Sequence, residues 1–365
     1  MKKSKTTSPP RRPLYALLLV AAGLLLWLLA QPKPGLRIIR LRPVLAPEEG
    51  APAPGVPDRI RLATYNLENF TDGRGDGPDR TPDVFMAHAR DAAAIIAEAD
   101  PDILVLQEVE NARTLEYLND LLPRPYGWIY VTRLRHSSGE REKLNFALLS
   151  RLRPHHVRQL AFHNLANLGR PARGSLSAEF DLGPGFRLLV YGIHLKSNFG
   201  EAPRNQAQRG IALHHVAADV IAETYANALS SNVTAAVVLG DTNVDPDSPA
   251  FAADPSLEPL AGAFADLWRG RPIEERTTIP TRLAGATGDP LLVFPPAAFD
   301  RVFASKNLVA PGPWRIMPPQ TIPKGTDTGN NLTQPGDNGH VSDHYLVYAD
   351  LERRAGWTPP PVAPP

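Results

Sequence analysis

The chain has 365 residues, with 39 Lys and Arg against 38 Asp and Glu, and its net charge of +1 excludes a polybasic nucleic-acid binder. It has no Cys, which excludes a disulfide framework, thiolate-held zinc and a thiol nucleophile; oxygen or imidazole must hold any metal, favouring Mg2+, Mn2+ or Ca2+. Without its tail-like ends the chain keeps about 300 residues, enough for one large α/β domain or two small ones.

The first segment, residues 1–13, is basic, and Leu14 to Ala30, "LYALLLVAAGLLLWLLA", carries no charge. That run is long for the apolar core of a signal peptide, and Leu28 stands where a cleavage site needs a small residue. An uncleaved, single-pass membrane anchor over residues 14–30 is therefore preferred to a cleaved signal. Lys2, Lys3, Lys5, Arg11 and Arg12 then stay on the cytoplasmic side, and everything after Gln31 faces a periplasm or the cell exterior. Residues 31–58, rich in Pro, Gly and Ala, are expected to form an extended tether with one apolar and basic patch, Leu36 to Leu41. A Pro-rich tail, residues 355–365, closes the chain and leaves residues 59–354 as the folded unit, expected to act as a monomer.

Within that unit "RIRLATYNL" predicts a strand, "DVFMAHARDAAAIIAEAD" an amphipathic helix ending before Pro101, and "DILVLQEV" a short buried strand. "EYLNDLL" reads as helix; "WIYVTRL", "NFALLSR", "SLSAEFDL" and "FRLLVYGIHL" read as strands, the last two joined as a hairpin through Gly183 to Gly185. A helix over about Asn205 to Leu229 and a strand "TAAVVLGD" follow, then loops with strands at "AFDRVFAS" and "HYLVYADL". So many strands with so few helices predict an α/β sandwich of two mixed or antiparallel sheets, and no Gly-x-Gly-x-x-Gly opens a helix to suggest a dinucleotide fold.

Five of these strands end or begin in residues a core does not choose: Asn66 and Glu68, Gln107 and Glu108, His194 and Lys196, Asp241 and Asn243, and Asp343 and His344. Singly, each has a structural explanation as a turn former, a cap or a satisfied core imidazole. Together they describe one polar rim. The motifs "TYNLENF", "LQEVEN", "YGIHLKSN", "GDTNVDP", "FDRVFAS" and "SDHYLV" resemble, in order and spacing, those of the endonuclease/exonuclease/phosphatase superfamily of metal-dependent phosphoesterases. The resemblance spans about Arg59 to Leu351 and implies a four-layer α/β sandwich with two central sheets.

It also implies roles. Glu108 would be the first metal ligand, with Asn66 and Asp343 alongside, and Mg2+ or Mn2+ the cofactor. Asp241 would align or deprotonate the attacking water, and Asn243, two residues on, would hold that water or a phosphate oxygen. His344 would polarise the phosphate or shuttle a proton, oriented by Asp300. A His at position 194 matches the deoxyribonuclease and sphingomyelinase branches, in which it would protonate the leaving group with a neighbouring Glu behind it; Glu142 is the residue chosen for that support. Arg173 and Lys196 either contact substrate phosphate or are solvated surface charges. Asp245 and Pro246 are read as turn formers.

"LRHSSGEREK" lacks aromatic residues for base stacking, no basic helix follows it, and no cluster of Lys and Arg suits a multiply phosphorylated inositol. "LLVFPPAAF" suits a membrane-docking loop or a buried strand equally. The expected function is a membrane-anchored, outward-facing metal-dependent phosphodiesterase, a nuclease of broad specificity with nucleic acid as substrate. The alternatives are a sphingomyelinase-like lipid phosphodiesterase and a catalytically silent, tethered polyanion-binding module.

Overall fold

A computed structural model describes residues 36–50, 54–74, 80–135, 141–162, 173–283, 293–327 and 333–355. The basic segment 1–13, the expected anchor 14–30 and all but Ala355 of the Pro-rich tail lie outside the described residues, among which no helix is long and apolar enough to cross a membrane. The chain divides into a short unit, Met1–Gly35, and the unit Leu36–Pro365 that carries everything below.

The first half of that unit holds β1 (Leu36–Arg40), β2 (Arg59–Phe70), α1 (Pro82–Ala99), β3 (Ile103–Val109), α2 (Ala112–Asp120), β4 (Trp128–Val131), β5 (Asn145–Ser150) and β6 (Pro154–Phe162). Then come β7 (Ser175–Asp181), β8 (Phe186–His194), α3 (Ala202–Leu229), β9 (Val233–Asp241) and β10 (Phe264–Asp266). The last strands are β11 (Arg282–Leu283), β12 (Val293–Phe294), β13 (Asp300–Ser305), β14 (Trp314–Ile316), β15 (Gln320–Ile322) and β16 (Leu346–Arg353). Local chemistry sets the boundaries. Thr81 caps α1 ahead of Pro82, and the helix stops at Asp100, left-handed at φ 45°, before Pro101. Asn111 caps α2 through the N–H groups of Arg113 and Thr114.

Two seven-stranded sheets result, in the orders β1-β6-β7-β8-β9-β13-β10 and β14-β16-β2-β3-β5-β4, with β15 added against β16. Both are mixed: β2 runs parallel to β3 and β8 parallel to β9, while their other described pairings are antiparallel. Alternation along the strands gives each sheet two apolar faces. Inner faces meet through Ile60, Val105, Phe146, Leu188, Val237 and Leu351 among others. The outer face of one sheet is covered by α1 and α2, and that of the other by α3. The order is helix, sheet, sheet, helix.

Leu36–Arg40, expected within the tether, is an edge strand paired antiparallel with β6 from Leu36↔Phe162 to Arg40↔Arg158. Its mixed apolar and basic residues satisfy a half-covered edge as well as they satisfy a linker, and the pairing decides between them. The strands β6, β10, β14 and β15 are additions to the elements expected from the pattern; in β6, "PHHVRQLAF", polar residues break the apolar run.

Register places the site. In the parallel pair β8/β9, His194 stands beside Asp241, and in the antiparallel pair β9/β13, Asp241 stands beside Asp300. Gly240 makes this closeness possible: it sits at φ 136°, and a Cβ there would lie 2.0 Å from the Ile193 carbonyl oxygen. Gly192 does the same between sheets, where a Cβ would meet Val105 Cγ1 at 2.5 Å. The C-terminal ends of β2, β3, β8 and β9 and the segment leading into β16 thereby share one rim.

Candidate active site

The centre of the rim is the side-chain amide of Asn66, 2% exposed at the end of the regular part of β2. Its Nδ2 lies 3.4 Å from Glu108 Oε1, 3.4 Å from Asp241 Oδ2 and 3.5 Å from His344 Nε2. One amide thus touches groups from β3, β9 and the approach to β16. His194 closes the ring, with Nε2 3.3 Å from Asp241 Oδ2 and 3.6 Å from Glu108 Oε1.

Asp241 is held from its own turn. The Asn243 backbone N–H donates to Asp241 Oδ1 at 2.8 Å, and Asn243 Nδ2 donates to Asp241 Oδ2 at 2.9 Å. Burial favours the neutral carboxyl of Asp241, but the hydrogen bond from His194 and the charge of His344 outweigh it and hold this group below the usual carboxylate range. His344 pairs through Nδ1 with Asp300 Oδ2 at 2.6 Å. Burial opposes its imidazolium, yet Asp300, Asp343 and Asp241 together hold it well above the ordinary histidine range. Asp300, fully buried, is pushed up by desolvation against the pull of His344. The result is a carboxylate at Asp241 facing an imidazolium at His344, 3.9 Å apart.

Backbone strain gathers at the same rim. Of the nine described non-Gly residues at positive φ, five lie here: Glu68 at 44°, Asn69 at 59°, Glu108 at 63°, Arg173 at 64° and Asn243 at 54°. Such conformations cost roughly 1–3 kcal/mol each and persist where the surroundings dictate them, as at sites that aim side chains.

The residues suit a divalent cation. Among the described residues no three His, Cys, Asp or Glu side chains converge as a cage. Glu108 Oε1 is a hard oxygen of the kind Mg2+ takes while keeping its waters; Asn66 turns Nδ2 toward it at 3.4 Å and its Oδ1 to the Glu68 N–H at 3.0 Å, so Asn66 would join the set by presenting Oδ1 instead. Asp343 is on the same rim, its Oδ1 3.6 Å from His344 Nε2.

Other expected site residues lie differently. Glu142 does not stand behind His194. Its carboxylate accepts the N–H groups of Lys143 and Leu144 at 3.0 and 3.4 Å, closing its own turn before β5, and it lines a cavity of about 430 Å3 with Arg133, Arg135 and Arg141. His194 is contacted instead by Arg173 Nη1, which also donates to the Leu195 carbonyl at 3.3 Å. The Lys196 ammonium is spent in its own turn, on Ser197 O and Oγ at 3.1 and 3.0 Å and Phe199 O at 2.9 Å, so it is not presented to a phosphate beside Asp241.

Glu68, placed on the rim by the sequence without a role, gains one, and two further residues, His340 and Asp245, join the site's support. Glu68 Oε2 accepts the Asp343 N–H at 2.7 Å and pairs with His340 Nε2 at 3.0 Å, fixing the loop that carries Asp343 and His344. His340 is four residues from His344, a proximity in sequence that could have flagged it. Asp245 is more than a turn former: it is fully buried, with both carboxylate oxygens 2.5 Å from Arg276 Nη1.

Comparison with known proteins bears on the family and the fold. The profile of the Endonuclease/Exonuclease/phosphatase family matches residues 63–344. No curated protein sequence matches the chain. Among solved structures, truncated TDP2 from Caenorhabditis elegans is 19% identical at a TM-score of 0.51, with 80% of this chain and 97% of that chain covered. Humanized TDP2 from D. rerio is 17% identical at a TM-score of 0.51, covering 81% of this chain and all of that one. Sphingomyelinase C from Streptomyces griseocarneus is 20% identical at a TM-score of 0.51, with 80% and 99% covered. At these identities the structures share the fold.

Proposed function

The chain belongs to the endonuclease/exonuclease/phosphatase family, and from that premise we propose that it is a divalent-metal-dependent phosphodiesterase, a nuclease of broad specificity that uses Mg2+, with Mn2+ as substitute. The observation that carries this reading is the Asn66 amide within 3.5 Å of Glu108, Asp241 and His344, with Asp300 fixing the far side of the imidazole.

Glu108 and Asn66, with Asp343, would hold the cation. When bound, it supplies charge neutralisation at the phosphoryl oxygens. Asp241, kept ionised and aimed by both bonds from Asn243, orients the attacking water and takes its proton. His344, kept protonated by three carboxylates, faces the negative phosphate oxygens. His194, between Asp241, Glu108 and Arg173, gives a proton to the departing alkoxide. Asn243 acts here chiefly on Asp241, with the water or phosphate as its second contact.

Phe199, 87% exposed in the loop after His194, and Phe294, 49% exposed, favour a lipid phosphodiester as the second reading of the substrate. The apolar run Leu14–Ala30 supports attachment to the cell membrane, with the catalytic unit outside and acting as a monomer. The test uses the full chain in detergent against plasmid DNA, structured RNA, sphingomyelin and inositol phosphates, with and without Mg2+. Metal-dependent cleavage of nucleic acid is expected; cleavage of sphingomyelin alone transfers the assignment to lipid, and cleavage of none removes it. Protease digestion of intact cells, which must remove the catalytic unit, tests the outward orientation.

A further inference from the structure

The turn that follows β9 carries two carboxylates with different fates. Asp241 faces the rim, while Asp245, four residues on, points the other way into an interior that holds two guanidinium groups. Arg276, at the end of the short helix Ile273–Arg276, brings Nη1 to 2.5 Å from both oxygens of Asp245 and donates through Nε to the Arg271 carbonyl at 2.8 Å. Arg301, fully buried on β13, places Nη1 3.5 Å from Asp245 Oδ1 and binds Asp266 through Nε at 2.9 Å. Asp245 also accepts the N–H of Ala298 at 3.1 Å and of Asp247 at 3.2 Å.

These bonds lead to the reacting groups from both sides. Ala298 stands two residues before Asp300. Arg276 stands two residues before Thr278, whose hydroxyl accepts the N–H groups of Phe299 and Asp300 at 2.9 and 3.0 Å. The Thr278 carbonyl accepts the N–H of Tyr345, next to His344, at 2.7 Å. Thr242, next to Asp241, donates both its N–H and its hydroxyl to the Phe299 carbonyl, at 2.8 and 2.7 Å. Asp245 is therefore the buried junction of three segments: the one bearing Asp241, the one bearing Asp300, and the one that locks Asp300 and Tyr345 in place.

We propose that Asp245 is a positioning residue for phosphodiester hydrolysis, which fixes the separation of Asp241 from the Asp300–His344 pair by anchoring the Asp241 turn to Arg276 and Ala298. The inference rests on the function proposed above and adds a residue that touches neither substrate nor metal. Asp241 acts on the attacking water and His344 on the oxygens of the same phosphoryl group, so their separation matters to the rate while leaving substrate binding alone; a misplacement of about 1 Å costs on the order of 100-fold. A carboxylate is suited to the task because it accepts from Arg276 and two backbone N–H groups at once; a carboxamide has one acceptor oxygen and turns its NH2 toward a donor.

The test is steady-state hydrolysis of the preferred phosphodiester by wild type, Asp245→Asn and Arg276→Lys full chains, with thermal unfolding and Mn2+ binding measured on the same preparations. For Asp245→Asn, kcat is expected to fall about 100-fold with KM and Mn2+ affinity within about twofold of wild type. Arg276→Lys keeps the charge with one directed contact and is expected to fall about tenfold in kcat, again at constant KM. An Asp245→Asn chain that is folded and has wild-type kcat overturns the proposal, as does a loss that disappears when rates are measured well below its unfolding temperature. If Asp245→Asn does not fold, Arg276→Lys decides: reduced kcat at constant KM supports the proposal, and wild-type kcat overturns it. A wild-type chain that cleaves no phosphodiester refutes the function itself and takes this role with it, whereas active wild type beside an equally active, folded Asp245→Asn refutes the role alone.

Discussion

Replacing Asp300 by Asn tests the electrostatics of the site most directly. The change keeps shape and removes one charge from a carboxylate that is fully buried and 2.6 Å from His344 Nδ1. Desolvation of the His344 ring is the largest single influence on it and favours the neutral form; Asp300 is the first of the three carboxylates that overcome it. Without that charge the imidazolium is disfavoured and the ring loses the partner that sets its tautomer. A preorganised donor to the charge that develops in the transition state is worth about 100-fold to 1,000-fold, so kcat/KM for Asp300→Asn is expected to fall by up to about 1,000-fold, or about 4 kcal/mol of transition-state stabilisation. The pH profile carries a sign as well. A group raised above its unfolded value stays protonated through neutral pH and gives up its contribution, to activity and to stability alike, as pH rises through its folded value. The alkaline limb of the wild-type profile should therefore lie above the ordinary histidine range and move to lower pH in Asp300→Asn. Initial rates from pH 5 to 10 on a soluble phosphodiester measure both effects. A variant within threefold of wild type with an unmoved alkaline limb would refute the reasoning.

Glu108→Gln keeps the hydrogen bond to the Asn69 N–H geometrically possible but removes the carboxylate of the proposed metal set; the Mg2+ concentration for half-maximal rate should rise at least about tenfold, and an unchanged Mg2+ titration argues against Glu108 as ligand. Glu142→Gln should leave kcat/KM within about twofold of wild type, because Glu142 closes its own turn; a loss of 100-fold would place it behind His194 after all. His88 is fully buried and edge-on to Phe70, and burial lowers its pKa from 6.5 to about 3. The unfolded chain therefore binds the proton first, and stability should fall as pH drops below about 6.5, by roughly 2 kcal/mol at pH 5; His88→Leu should flatten this slope in urea titrations, and an identical slope would show that other groups cause it.

Much of this architecture can be read in the sequence because the strands are apolar and their ends are not. Asn66, Glu108, His194 and Asp241 each follow a largely apolar strand and His344 precedes one, and a polar residue at such a point needs a reason. Pattern alone fails where polar groups satisfy each other inside the fold. Asp245 and Arg276 are 31 positions apart, and nothing local distinguishes a buried pair from a turn residue and a surface charge. Glu142 shows the converse: it is the carboxylate expected behind His194, but the N–H groups that follow it compete for its carboxylate and win. In β6 the interruption "HHVRQ" hides a strand because Arg158 is neutralised from outside the sheet, by Asp219 and Glu223 on α3.

The pairing of β1 with β6 also bears on where a working fragment can begin. Arg37 and Arg40 are exposed on β1, so the outermost strand of its sheet presents charge to solvent and resists pairing with another chain. A fragment started at Arg59, where the first long apolar strand begins, would strip that guard and uncover β6, with Leu160 and Phe162 at its end and a row of unsatisfied N–H and C=O groups along it. Such a fragment would expose an aggregation-prone edge, and its poor behaviour would say nothing about the catalytic rim. Starting at Leu36 keeps the edge closed.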